Sequence, residues 1–430
     1  MPPRHDRART RIDRRTFLHA SLAATAGIAT AGLVAGCRKT AASGPAGPTT
    51  GVLLDPGRPS VWPIDERAAP IPGGLTPERG ATLRVYQWRD YLYDDVLESF
   101  ARRHARYGVD VHVESFTTME EAIARLRRPG ASFDVFFPTI DALPDLVLSG
   151  MLRPLNHAYL PNVANLWPWF RGSSRPFYDA GQRFTVPYTV YSSGIAYNRD
   201  LVRDVDAPPT AGFDLLWNER YAGATAFYDQ YREAIALSLL RDGLDDPMRA
   251  SDVEIERAAS SLVDAVGGLD ARLATDAAYR DVPAGRLAAA QAWSGDVVSA
   301  VRHGRGGPRA ADRLGYWWPM TGGVVGIDLT AVLIQGRNPV LAHAFLDHLL
   351  DERVAIENYS WNGYQPPVAA LDRASLSSPG SPWTGMLPDH LLHCGVLTQR
   401  ELEQGRFLVR PAPSADGTWL RAWQRVVAAT

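Results

Sequence analysis

The residues best suited to binding chemistry follow the first predicted β-strand. The stretch from Leu83 to Tyr91 begins with apolar side chains and ends with a group of aromatic and charged residues: Trp88, Arg89, Asp90 and Tyr91. A helix with an acidic first turn comes next, which places this group at the carboxyl end of the strand. Open α/β sheets bind their ligands at that end. The alternative is an ordinary strand-to-helix loop whose aromatic rings cover the edge of the sheet.

A second polar group follows a later strand. Residues 133–137 predict a buried strand that runs into Thr139 and Asp141. Between residues 83 and 150 strand and helix patterns alternate, which predicts parallel strands joined by right-handed crossovers. Because the carboxyl ends of parallel strands lie along one edge of a sheet, we expect Thr139 and Asp141 to lie near Trp88.

A third polar group precedes the apolar helix predicted from Ala234 to Leu240. It contains Asp229, Gln230 and Glu233. These residues either face a ligand or serve the helix itself, with Asp229 as its cap and Glu233 as a first-turn acid that complements the helix dipole. The residues alone leave both interpretations open.

The size and charge of the chain bound its class. With 430 residues, 46% of them hydrophobic, the chain can form about two domains, and the extended run at 186–198 is a candidate passage between them. A net charge of −2 gives no indication of nucleic-acid binding. Residues 1–36 contain six arginines and two aspartates, so the chain without them has a net charge of −6, which suits a cationic ligand.

An exported hydrolase is the enzymatic alternative. The sequence has no Gly-x-Ser-x-Gly, no His-Glu-x-x-His and no glycine-rich phosphate loop followed by lysine. His343 and His348 are five residues apart, which takes them off a common helical face, so we predict surface or packing residues rather than a metal pair. We predict no catalytic residue, no metal and no cofactor.

The N-terminus has the layout of an exported lipoprotein. Arg14-Arg15 precedes an apolar run from Ala20 to Ala35 that has no charged residue, as in a twin-arginine signal peptide. The run is rich in Ala, Gly and Thr, which disfavours a permanent membrane helix. Cys37 follows it at the position of a lipidated cysteine, with an incidental thiol as the alternative. We predict a signal peptide at 1–36, a lipid on Cys37 and a flexible tether at 37–81.

A series of short motifs then follows in a recognisable order. In chain order they are Tyr86-x-Trp88 with Asp90-Tyr91, Phe133-Asp134-Val135 with Pro138-Thr139, Val186-Pro187-Tyr188, Leu216-Trp217 with Tyr221-Ala222-Gly223, Asp229 with Glu233, Trp293-Ser294-Gly295, Gly322-Gly323 with Asp328, and Gly363-Tyr364. In this series the chain resembles the solute-binding lipoproteins of ABC importers, most closely the spermidine/putrescine-binding type. The similarity covers residues 83–372 and extends more loosely to the end.

The resemblance implies a periplasmic-binding-protein-like type II α/β fold, with two lobes and a ligand cleft between them. We expect lobe 1 at 82–189 and 328–372, and lobe 2 at 190–327 and 373–430. The resemblance also implies a lipid-anchored monomer outside the cytoplasmic membrane that delivers a solute to ABC permease subunits. Its ligand-contacting positions match Trp88, Tyr91, Thr139, Glu233, Trp293, Asp328 and Tyr364.

The residues at these positions suit a polyamine such as putrescine or spermidine. Carboxylates pair with ammonium groups that would otherwise be costly to bury, and aromatic faces attract cations. With the neighbouring polar residues, the predicted ligand-binding set is Trp88, Arg89, Asp90, Tyr91, Thr139, Asp141, Asp229, Gln230, Glu233, Trp293, Asp328 and Tyr364.

Four positions depart from the family and leave the ligand open. Arg89 replaces a small hydroxyl residue, Asp141 an aromatic one, Gln230 an acid and Gly326 a tryptophan. Arg89 repels a polyamine unless Asp90 or Asp141 neutralises it, and a free Arg89 favours an amino acid or amino-sugar ligand. The changes at Gln230 and Gly326 favour a ligand shorter or less charged than spermidine. A sugar is a further alternative, because acids and aromatics also suit hydroxyl-rich rings.

Overall fold

The computed structural model describes residues 53–64, 69–306 and 309–430. The predicted signal peptide and the lipidation site at Cys37 lie outside these residues. Within them, no helix has the length and apolar character that crossing a membrane requires. The described part of the predicted tether packs against the rest of the chain, which corrects that expectation. Trp62 is buried and donates from its indole nitrogen to the Tyr178 carbonyl at 2.7 Å, and Glu78 accepts from the Val340 amide at 3.0 Å.

The first part of the chain forms a parallel sheet covered by helices, as predicted. Strand β1 pairs in parallel with β2 on one side and β3 on the other. Burial of the apolar face of helix α1, through Val96 and Phe100, holds that helix on the sheet. The elements are β1 (Thr82–Trp88), α1 (Asp94–Arg103), β2 (Asp110–Phe116), α2 (Met119–Leu126), β3 (Val135–Phe136) and α3 (Leu143–Leu148).

A long strand then leads into a second parallel sheet. Almost every residue of this strand, β4 (Thr185–Asn198), is buried, which fits a strand at the centre of a sheet. Strand β5 pairs in parallel with β6 and β7. The elements are β4 (Thr185–Asn198), β5 (Thr225–Phe227), α4 (Tyr231–Arg241), α5 (Asp252–Val263), β6 (Arg272–Leu273), α6 (Ala277–Arg280), β7 (Ala289–Trp293), α7 (Ser294–Arg302), α8 (Ala310–Arg313) and β8 (Leu314–Trp317).

The chain returns through a second long strand and ends in helices. Short helix α12 and strand β10 precede the amphipathic C-terminal helix. The elements are β9 (Val324–Val332), α9 (Pro339–Leu349), α10 (Glu352–Asn362), α11 (Arg373–Ser377), α12 (Asp389–Gly395), α13 (Gln399–Gln404), β10 (Arg406–Phe407) and α14 (Pro413–Val427). Irregular connections and short 3₁₀ turns, among them Pro161–Asn165 and Gly212–Trp217, join the remaining elements.

The two long strands hold both parallel sheets in one continuous sheet. Its order is β2-β1-β3-β9-β4-β7-β5-β6, with β10 on β9 and β8 on β4. Strand β9 is antiparallel to β3 and β4, and β4 is antiparallel to β7. The parallel strands of the two halves therefore run in opposite directions, and their carboxyl ends face each other across the middle of β4. The predicted crossing at 186–198 is this strand.

Two buried apolar clusters stabilise the fold. The larger one surrounds β1–β3, β9 and helices α9 and α10, and the smaller one lies between β5, α4, α5 and α14. The larger cluster also includes Val297 and Val298 of α7, so the clusters do not follow the expected lobe boundaries residue by residue. Those boundaries remain a prediction.

Ion pairs connect the halves of the molecule across the strand ends. The Arg232 Nη2 atom, in the first turn of α4, lies 2.5 Å from the Asp141 Oδ2 atom beyond β3. Burial opposes ionisation of Asp141, but the attraction of Arg232, the charge of Arg410 and hydrogen bonds to the carboxylate together outweigh it and lower the pKa of Asp141. Arg410, after β10, forms a second such pair with Asp145 of α3 at 2.6 Å. The partner of Asp141 is thus Arg232, whereas the sequence suggested Arg89.

Removing the charge of Arg232 should destabilise the protein. The side chains of Arg232 and Asp141 are only 20% and 16% exposed, so Arg232→Met leaves a largely buried carboxylate without its partner. We expect the free energy of unfolding to fall by about 2–4 kcal/mol. Urea denaturation monitored by circular dichroism measures this change.

The matched control is Arg102→Met, which breaks the exposed pair of Arg102 with Glu98. Those side chains are 67% and 69% exposed. The loss there should stay below about 0.5 kcal/mol, because solvent screens exposed ion pairs. Equal losses in the two variants would show that the pair between Arg232 and Asp141 adds no more stability than a surface pair.

Candidate functional site

One face of β4 forms the floor of the candidate site. Side chains alternate along a strand, so Thr189, Tyr191 and Ser193 point to the same side. Across the ladders they face Asp328 and Gly326 of β9 and Trp293 of β7. From Thr189 to Ser193 the strand extends about 13 Å. The carboxyl ends of β3 and β7 point toward this stretch from opposite directions.

The first end of the floor contains a buried carboxyl group, that of Asp328. The Tyr91 hydroxyl donates a hydrogen bond to the Asp328 Oδ2 atom and lies 2.7 Å from the Thr189 hydroxyl. Asp328 is only 6% exposed, and burial raises its pKa to about 7, although the hydrogen bond from Tyr91 favours the ionised form. The Tyr91 carbonyl accepts from the Tyr188 hydroxyl at 2.8 Å and from Asn362 Nδ2 at 3.0 Å, which fixes the loop after β1.

The other end of the floor contains Glu233. Its Oε2 atom accepts from the Ser193 hydroxyl at 2.8 Å, and its Oε1 atom accepts from the Trp293 indole nitrogen at 3.0 Å. Burial raises the pKa of Glu233, and these two hydrogen bonds oppose the rise only in part. Glu233 does lie in the first turn of α4, as the helix-dipole interpretation requires. Its contacts with Ser193 and Trp293 show that it also faces the site.

A third carboxyl group, Asp296, escaped the sequence analysis. It lies in the first turn of α7, where it accepts from the Tyr364 hydroxyl at 2.9 Å and from the Tyr228 hydroxyl at 3.2 Å. Burial raises its pKa to about 6, although both hydrogen bonds favour ionisation. A signal was present, because Asp296 follows the motif Trp293-Ser294-Gly295 directly. A Cβ atom on Gly295 would lie about 2.5 Å from the Tyr364 ring, so this glycine lets the ring approach.

Aromatic rings connect the three carboxyl groups. Tyr91 contacts Tyr364 edge to face at 5.2 Å between ring centroids, and Tyr364 contacts Tyr191 in the same way at 5.9 Å. Tyr191 lies 5.8 Å from Trp293, which in turn lies 4.5 Å from Tyr228. The five rings form a continuous wall between Asp328 and Glu233. Aromatic faces carry partial negative charge, so this wall attracts cations as the carboxylates do.

The structure brings five of the predicted site residues into this cluster and places two beside it. Trp88 packs on Phe116 at 4.7 Å, and among the described residues its indole nitrogen is buried without a hydrogen-bond partner. Thr139 forms an isolated backbone bridge with Asp328. The five residues of the cluster are Tyr91, Glu233, Trp293, Asp328 and Tyr364.

Five other predicted residues are exposed to solvent or paired with a residue outside the cluster. Arg89, Asp90, Asp229 and Gln230 are exposed, and Asp141 is paired with Arg232. Hydrogen bonds from Thr117, and to a smaller extent the charge of Arg89, lower the pKa of Glu121 in α2. The capping role considered for Asp229 is wrong, because Gln230 precedes α4 and makes no capping bond through its side chain.

Curated relatives share most of the chain. A putrescine/cadaverine-binding protein of Pseudomonas aeruginosa is 26% identical over 67% of this chain and 80% of its own length. The spermidine/putrescine-binding periplasmic protein 1 of Haemophilus influenzae is 26% identical over 64% of this chain and 72% of its own. The putrescine-binding periplasmic protein PotF of Escherichia coli is 25% identical over 63% and 73%.

Solved structures share the fold. The substrate-binding protein PotD of a Streptococcus pneumoniae spermidine/putrescine ABC transporter superposes with a TM-score of 0.64 at 20% identity, over 81% of this chain and 99% of its own. A PotD lipoprotein of Treponema pallidum gives 0.65 at 18% identity, over 80% and 99%. These neighbours confirm the expected two-lobed α/β fold. The family model for the bacterial extracellular solute-binding protein matches residues 96–379. The chain therefore belongs to the bacterial extracellular solute-binding protein family.

Proposed function

We propose that this protein is the substrate-binding component of an ABC importer and that its ligand is a polyamine of the putrescine or spermidine kind. The observation that carries the proposal is the arrangement of buried Asp328 and half-buried Asp296 and Glu233 along one aromatic wall. The relatives whose names include putrescine, cadaverine or spermidine support the same ligand class.

The three carboxyl groups need a cation. Burial makes their ionised forms costly, as the raised pKa values of all three show. Nearby, the guanidinium of Arg232 is already paired with Asp141, and Arg89 is exposed. An ammonium group of the ligand supplies the missing positive charge, and pairing within the site then offsets the desolvation of both partners.

The aromatic wall suits the rest of a polyamine. Methylene groups between the charges pack on the rings of Tyr364, Tyr191 and Trp293, which already contact one another. Each cation–π contact in a desolvated site contributes roughly 0.5–2 kcal/mol. An amino acid also needs a cation for its carboxylate, and this cluster presents carboxyl, hydroxyl and aromatic groups. A polyamine is therefore the better fit.

The transport mechanism follows from the two facing halves. The ligand enters while the halves are apart and first contacts the carboxyl groups of one half. Its binding then shifts the population toward the closed arrangement, in which the carboxyl groups of both halves contact the ligand. Export is part of the proposal, with a twin-arginine signal at 1–36 and a lipid on Cys37, and it is supported by the motifs at Arg14-Arg15 and before Cys37. The protein then works as a monomer beside its permease subunits.

Calorimetric titration tests the proposed ligand class. We expect putrescine or spermidine to bind at a ratio of one to one, with amino acids and sugars giving no heat at equal concentrations. If every polyamine fails at millimolar concentration, the polyamine assignment is wrong while a transport role for another solute stands. A hydrolysis screen on the same preparation addresses the enzymatic alternative, for which we expect no turnover.

Polyamine affinity should rise with pH. Asp328 and Asp296, with pKa values of about 7 and 6, are largely protonated at pH 5.5 and ionised at pH 8, whereas alkyl ammonium groups keep their charge throughout. We expect putrescine to bind at least about tenfold more weakly at pH 5.5 than at pH 8. Titration at both pH values measures the difference. An Asp328→Asn variant should lose the part of this dependence centred near pH 7, and an unchanged profile would exclude Asp328 from the site.

The stability of the ligand-free protein should change in the opposite sense. The two groups have higher pKa values when folded than the unfolded value of about 3.9, so the folded chain holds protons that the unfolded chain has lost. Their stabilising contribution is complete below about pH 4 and disappears as the pH rises through 6 to 7. Saturating ligand should remove this decline, because the ammonium groups stabilise the ionised carboxylates.

A charge-removing substitution tests the role of Glu233. Glu233→Gln keeps the size of the side chain and should weaken a diamine by about tenfold or more, because it removes a negative charge that pairs with an ammonium group. The matched control is Glu219→Gln, an exposed acid in the same half of the molecule, which changes the net charge equally. A loss of diamine affinity no larger than that of Glu219→Gln would place Glu233 outside the pocket.

A further inference from the structure

The pairing of Tyr191 with Gly326 gives the floor of the site a chain-specific feature. The two residues are direct partners in the ladder between β4 and β9. A Cβ atom on Gly326 would lie 2.2 Å from Tyr191 Cζ and 2.5 Å from its hydroxyl oxygen. The ring of Tyr191 therefore lies flat over the backbone of Gly326. The family resemblance implies a tryptophan at position 326, and in this chain the Tyr191 ring lies at that position instead.

Tyr191 faces the site and is not a core residue. Its strand neighbours Val190 and Ser192 are fully buried on the other side of the sheet, whereas the Tyr191 side chain is only half-buried. Among the described residues its hydroxyl has no hydrogen-bond partner. A ring that served only to fill the interior would be enclosed.

Tyr191 also lies between the carboxyl groups of the site. It lies on β4 between Thr189, next to Asp328, and Ser193, which binds Glu233. After burial, the charges of Asp328, Glu233, Asp141 and Asp296 all raise the pKa of its hydroxyl. The four carboxyl groups thus surround one ring.

We propose that Tyr191 is a specificity-determining residue and that Gly326 is the residue that makes room for it. The inference rests on the proposed function. The ring separates the carboxyl groups at the two ends of the floor and supports the methylene chain that joins two ammonium groups. An inner ammonium group of a longer amine meets the ring at this point, and a cation–π contact there stabilises the charge less than pairing with a carboxylate does. The site therefore favours a linear diamine over the triamine spermidine.

The test compares ligand preference rather than affinity alone. Putrescine, cadaverine and spermidine are titrated calorimetrically against the purified protein and the variants Tyr191→Ala and Tyr191→Phe. We expect Tyr191→Ala to lower diamine affinity by about 3- to 30-fold and to shift the ratio of putrescine to spermidine affinity toward spermidine by about tenfold. Tyr191→Phe keeps the ring and should keep the wild-type ratio.

A size-exchange pair tests the role of Gly326. Gly326→Ala forces its methyl group against the Tyr191 ring, so it should lower diamine affinity in the wild-type background. In the Tyr191→Ala background the same change has room and should cost little further affinity or thermal stability. Losses of this kind are not additive when two residues share one space.

The outcomes separate the inference from the function on which it rests. If the wild-type protein binds none of the three amines, the proposed function and this inference are both overturned. If it binds them while folded Tyr191→Ala keeps the wild-type selectivity, only the inference is overturned. Strictly additive effects of Tyr191→Ala and Gly326→Ala would also contradict it, because they would show that the two residues act separately.

Discussion

The cost of burying carboxylates without a resident cation governs the candidate site. Asp328, Asp296 and Glu233 are each satisfied by hydroxyl or indole donors, yet none of these donors carries a positive charge. Neutral donors orient a carboxylate and only partly offset its desolvation, which is why all three pKa values remain raised. Asp141, in contrast, is paired with the positively charged side chain of Arg232. Asp141 has a fixed cationic partner, whereas the hydrogen-bond donors of the three carboxyl groups in the site are neutral, which leaves these groups available to a cationic ligand.

The opposed strand directions explain how residues distant in the sequence meet. Tyr91 and Asp141 follow strands of the first half, whereas Glu233 and Asp296 follow strands of the second. Since β4 and β9 run through both halves, the carboxyl ends of both sets face the same stretch of β4. Ligands of open α/β sheets bind at such ends, and here two such edges contribute to one site.

The sequence predicts the local elements and the aromatic and acidic loops well, because strand alternation and helix capping are local signals. Tyr91, Glu233, Trp293, Asp328 and Tyr364 were expected in the site, and the structure brings them together. Asp296 and Tyr191 were missed for different reasons. Asp296 lies one residue beyond the motif Trp293-Ser294-Gly295, and the face on which Tyr191 lies depends on the register of β4 with β9, which a single chain does not reveal. Arg89 is exposed, and its proposed effect on the choice of ligand stays a prediction.

The continuity of strand β4 also limits how the two halves of the molecule can move relative to each other. Fourteen consecutive residues lie in one strand, which pairs with β9 along its first part and with β7 and β8 along its last part. Relative movement of the halves therefore bends a continuous sheet and does not rotate them about a flexible loop. A sheet bends most easily where its ladder is already irregular, and the register between β4 and β9 shifts between Pro187 and Thr189. That irregularity adjoins the hydrogen bonds of Thr189 and Asp328 with Tyr91. Bending of the sheet at this irregularity would therefore also change the hydrogen bonds around the Asp328 carboxyl group, because both involve the same few residues.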